Sequence, residues 1–171
     1  MTSIFNNHPF LKYFRFSIVS AVLYCIMVAI FIKDDAFSSS WKLYLGNILF
    51  AIVIAVFIYM YNVNRGMNAK AQVMVFAGHI TAVMGILLSC VIIILLFSFL
   101  RPNVFHLMIN NPASMENAPA SLQGNARGLM LIVFMDAIFG NIAAASFISI
   151  ILPFTAKRFQ KSDSNTISEN A

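Results

Sequence analysis

Charge is scarce in this sequence. Of its 171 residues, 10% are charged and 60% are hydrophobic, where a soluble domain carries about 25% charged residues. A water-soluble fold of this composition would present large apolar patches, so lipid is the expected solvent. Acid is scarcer still. Asp34, Asp35, Glu116, Asp163 and Glu169 lie outside the long apolar runs, and Asp136 alone lies inside one. The two cysteines, Cys25 and Cys90, both sit in apolar runs without a CxxC or Cys/His spacing, which excludes a disulfide framework and a zinc site of familiar pattern. HExxH, GxSxG, a phosphate-cradling glycine loop and paired carboxylates are missing, and with them the hydrolytic and nucleotide-dependent chemistries those motifs serve. No cofactor and no metal is expected. The net charge is +5, yet the basic residues stand singly or in pairs at the ends of apolar runs. That is the pattern of membrane anchors, not of a nucleic-acid-binding stripe.

What is present is four long apolar runs, which predict one all-α, four-helix transmembrane bundle. Residues 1–15 are a polar, aromatic lead-in, with His8-Pro9 suited to start a short interfacial helix. The spanning domain covers 16–154, with spans at about 16–32, 43–61, 73–100 and 128–154. The first is near the lower length limit for about 30 Å of hydrocarbon. It ends in Lys33-Asp34-Asp35 instead of the small residues of a cleavable signal. Trp41 and Tyr59/Tyr61 suit the membrane–water boundaries. Residues 101–127, with three prolines, read as one long loop, and long loops are usually functional or disordered. Pro153 marks the end of the last span, and 155–171 reads as a polar, disordered tail.

Orientation follows from the basic residues. Lys12, Arg15, Arg65, Lys70, Lys157, Arg158 and Lys161 fall on one side, and Lys33, Lys42, Arg101 and Arg127 on the other. The positive-inside rule then places both termini in the cytoplasm of a bacterial inner membrane, with the long loop periplasmic.

Asp136 is the residue to follow, because a carboxyl group in hydrocarbon is costly and by default marks a site. At about 1.5 Å rise per residue it lies about 12 Å below the outer boundary, and His79 about 9 Å above the inner one. Tyr24, Thr81 and Ser89 are nearest in depth to Asp136, while Asn141 is level with His79. Two readings stand for Asp136: a proton or cation site between helices, or a neutral hydrogen-bonded pin. Asn47 and Asn141 are read as bridges between helices, and His79 as a packing residue. Gly78, Ala82 and Gly85 form a small-residue face on the third span; with Gly140, Ala143 and Ala144 on the fourth they are expected to form the tight centre of the bundle.

The Tyr61–Lys70 turn running into Phe76-Ala77-Gly78, and the small-residue segment Gly140–Ser149, resemble an uncharacterised four-helix inner-membrane protein family of Bacteroidetes. The resemblance implies the four-span layout and no activity. Small multidrug transporters have an acid in the first span, and Phe16–Ile32 has none.

The expected function is therefore a non-enzymatic membrane protein, an accessory or assembly partner. Its surroundings would be the bilayer and a second copy or another membrane protein, without nucleic acid. The alternative is a small proton- or cation-coupled transporter subunit using Asp136. A weaker one is a membrane enzyme whose groups, His106 and Glu116, lie in the outer loop.

Overall fold

In the computed structural model the backbone is described for residues 9–34, 37–64, 69–102 and 120–169, and side chains for 10–34, 38–64, 69–102 and 128–158. The described chain is helical. Helix α1 runs Pro9–Asp34, α2 Trp41–Val63 and α3 Ala71–Leu100. A fourth rod is built from α4 (Ala120–Met135), a π-helical turn (Asp136–Gly140) and α5 (Asn141–Glu169). Four helices are long and apolar enough to cross a membrane. At 26 residues, α1 exceeds the roughly 20 that a bilayer core requires, because the lead-in and the first span are one continuous helix from Pro9. Large side chains cover the outside, with Phe99 81% and Phe76 68% exposed. Lipid is the solvent in which such a surface costs nothing.

The rods are longer than the apolar runs alone. The fourth begins at Ala120, inside the stretch read as a loop, because Leu122, Gln123, Ala126 and Arg127 are good helix formers. It also runs through Pro153 to Glu169, into the stretch read as a disordered tail. Proline removes one backbone hydrogen bond, but a membrane helix tolerates that loss when its neighbours re-satisfy the freed group. Once nucleated, a helix extends at little further cost. The rest of the long connection, with His106 and Glu116, lies outside the described residues.

Packing sets the corners of the bundle. Helix α1 packs most extensively on α3 and then on α2, and the fourth rod packs on α3 and α2. Thus α1 and the fourth rod stand at opposite corners. The tight centre is therefore not the expected pairing of the third and fourth spans. Of the small residues on α3, Gly85 lies against Ser20 of α1 and Phe50 of α2, while Gly78 faces Ser149 of the fourth rod and Ile58 of α2. Ser17 ties α1 to α3 by donating to the Thr81 carbonyl at 2.8 Å.

Both ends are pinned. At one, Lys42 pairs with Asp34, Ser39 Oγ donates to Asp34 Oδ2 at 3.0 Å, and Arg101 Nη2 donates to the Ile32 carbonyl at 3.2 Å. Arg101 there satisfies a carbonyl at the end of α1. At the other, Tyr13 and Phe16 of α1 meet Phe57 of α2 with ring centroids 5.4 and 5.2 Å apart.

Candidate functional site: an intramembrane carboxylate clasp

The buried stripe of the fourth rod is Leu129, Val133, Ala137, Asn141, Ala145, Ser149 and Pro153, one residue in every four. In a regular α-helix such a stripe drifts by about 40° per step, since a turn holds 3.6 residues. The π turn at Asp136–Gly140 is wider and takes up part of that drift. Asp136 and Gly140, each one residue before a stripe position, are left half-buried on its margin, towards α2.

Asp136 is held from two helices at once. The Tyr24 hydroxyl of α1 donates to Asp136 Oδ2 at 2.8 Å, and Asn47 Nδ2 of α2 donates to Asp136 Oδ1 at 2.8 Å. Both partners are neutral. Tyr24 is fully buried and Asn47 nearly so. Two glycines make the clasp sterically possible. A Cβ on Gly46 would come within 2.9 Å of Tyr24 Cδ2, so the tyrosine ring lies directly on the α2 backbone. A Cβ on Gly140 would come within 2.6 Å of Asn47 Nδ2 and 2.8 Å of Asp136 Oδ1. Each glycine is followed by an asparagine, and the Gly46-Asn47 and Gly140-Asn141 pairs both serve the same site.

Asn141 secures the π turn. Its backbone N–H bonds to the Asp136 carbonyl, five residues back, instead of Ala137, four back. Its side-chain Nδ2 then donates to the Ala137 carbonyl at 3.0 Å. The amide thus gives the Ala137 carbonyl a donor in place of the backbone N–H that the wide turn redirects. Asn141 therefore bonds within its own rod, where a bridge to another helix was expected.

The other sequence-selected residues fall elsewhere. Ser89 Oγ and Thr81 Oγ1 donate to Gly85 and Ala77 carbonyls of their own helix at 2.9 Å, so of the three groups nearest in depth only Tyr24 reaches Asp136. His79 is half-buried, with Nδ1 2.9 Å from the Val75 carbonyl. Ala82 is buried on α3. Ala143 faces outward and Ala144 is half-buried; the packing phase runs through Asn141 and Ala145, so the expected Gly140/Ala143/Ala144 face is displaced by one residue. Sequence reasoning missed the π turn and the role of Gly46. A third Gly-Asn pair, Gly124-Asn125, lies away from the site, so the dipeptide by itself carries no signal for either.

Several buried oxygens have no protein partner: Asn47 Oδ1, Asn141 Oδ1, Asn62 Oδ1 and Ser149 Oγ. Among the described residues no group of three or more His, Cys, Asp or Glu side chains is placed to hold a metal ion. Compared with known proteins, the chain matches no family model, no curated protein and no solved structure.

Proposed function

We propose that this protein is a multi-pass integral membrane protein that acts as a non-enzymatic accessory or assembly partner of other membrane proteins. In this reading Asp136 is a structural pin. The supporting observation is that both of its carboxyl oxygens accept from protein donors on two other helices. A working relay would use a chain of titratable groups, whereas the donors that hold Asp136 are one phenol and one amide. The distribution of basic residues and the resemblance to the Bacteroidetes family support a bacterial inner membrane, both termini cytoplasmic and the long connection periplasmic.

A second reading is favoured by the unpartnered Asn47 oxygen beside the carboxylate: a small cation-coupled transporter subunit that uses Asp136. Reconstitution separates the two. The accessory reading expects no flux above empty vesicles under a proton or sodium gradient. Gradient-driven flux that Asp136→Asn abolishes, with insertion and elution unchanged, overturns it in favour of the transporter.

A further inference from the structure

We infer that the clasp is a binding site for a single alkali cation, held by Asp136 and the side-chain oxygens of Asn47 and Asn141. The inference goes beyond both functional readings, since a bound ion can stabilise the bundle with or without transport.

The first argument is charge. Asp136 is the one acid within the apolar runs, and its two partners, a phenol and an amide, bring no positive charge. A carboxylate at that depth calls for a counter-charge. The second argument is a count of acceptors. Each carboxylate oxygen has about two lone-pair sites, and one on each oxygen is occupied by Tyr24 and Asn47.

The third argument is independent of the acid. Asn47 is 7% exposed and its Oδ1 has no partner. That oxygen shares a carbon with the Nδ2 that lies 2.8 Å from Asp136 Oδ1, so amide geometry keeps it beside the carboxylate. Its orientation is set: turning the amide over would place oxygen against a carboxylate oxygen. Asn141 repeats the arrangement. Its Nδ2 is committed to the Ala137 carbonyl, and its Oδ1, on a fully buried side chain, is left without a partner. It follows directly after Gly140, whose Cβ position abuts both Asn47 Nδ2 and Asp136 Oδ1.

Asp136 and Asn141 thus bracket one wide turn, the Asn47 amide lies against Asp136 from α2, and each amide has its nitrogen committed and its oxygen free. A water would supply hydrogen-bond donors but no charge. A proton would satisfy one acceptor only. A small hard cation satisfies neutral and charged oxygens together.

The test is thermal unfolding of the purified full chain in detergent at fixed pH. NaCl, LiCl and KCl are each titrated against choline chloride at constant ionic strength. The expected result is a saturable rise in Tm of about 5 °C with at least one alkali ion and not with choline. Asn141→Ala should weaken the apparent affinity about tenfold, and Asp136→Asn should abolish the response, while Ser149→Ala, remote from the clasp, should retain it. Identical curves in choline and alkali chlorides for the wild-type chain would overturn the inference, and that arm needs no variant to fold. So would a Tm that rises on acidification yet ignores alkali ions at every pH, because the occupant would then be a proton.

Discussion

The Tyr24 hydroxyl reaches Asp136 Oδ2 at 2.8 Å across the diagonal of the bundle, joining side chains 112 positions apart in the chain. Helices α1 and the fourth rod occupy opposite corners, so this bond links elements that backbone packing alone leaves apart, while its companion from Asn47 reinforces the α2 contact. In lipid, where apolar contact gives helices no water-driven attraction for one another, polar links of this kind and close packing hold a bundle together.

Asn47→Ala should therefore destabilise the folded chain by about 1–2 kcal/mol, since it removes a donor from a carboxyl group with few alternatives. Unfolding in mixed micelles measures this. A loss below a few tenths of a kcal/mol would show that the Asn47–Asp136 bond carries no stability.

Gly140→Ala and Gly128→Ala should have opposite signs. At Gly140 a Cβ would lie 2.6 Å from Asn47 Nδ2 and 2.8 Å from Asp136 Oδ1, whereas at Gly128 it meets nothing within 4 Å. Overpacking costs about 1–3 kcal/mol. An unobstructed Gly→Ala change inside a helix gains up to about 1 kcal/mol. Melting of the two variants side by side checks the pair, and equal effects would remove Gly140 from the site.

Asn141→Ala withdraws the amide that occupies the Ala137 carbonyl. The wide turn should then lose about 1 kcal/mol of local stability. Hydrogen exchange resolved to residues 136–141 should accelerate, while α1 and α2 keep their protection. Unchanged exchange there would mean that the π turn is held by packing alone.

The proposed orientation predicts labelling by side. A single cysteine at Ser114, introduced with Cys25 and Cys90 changed to Ala, should react with a membrane-impermeant thiol reagent added outside intact cells. One at Ser162 should react only after the membrane is opened. The reverse pattern would invert the topology.

Much of the fold was legible because bilayer thickness imposes length and hydropathy directly on the sequence. The four helices and the isolation of Asp136 follow from that constraint. Helix ends were less legible. Apolar runs mark where lipid lies, not where a helix stops, so α1 starts earlier at Pro9 and the last rod continues past Pro153. The partners of Asp136 were half legible. Counting residues at a constant rise brought Tyr24 to its depth but not Asn47, because depth fixes neither the corner a helix occupies nor the turn that Asp136 opens. The π turn shifts the packing phase by one residue, and this is why Ala143 faces outward while Ala145 is buried.

The most direct test of the clasp is a double-mutant cycle on Tyr24→Phe and Asp136→Ala, the latter leaving no acceptor for the hydroxyl, read as unfolding free energy in detergent. The hydroxyl and the carboxyl group meet directly, so each single change should already remove most of what the pair contributes. The double variant should be less destabilised than the sum of the singles, with a coupling of about 1 kcal/mol. Strict additivity, with both singles folded, would contradict the account.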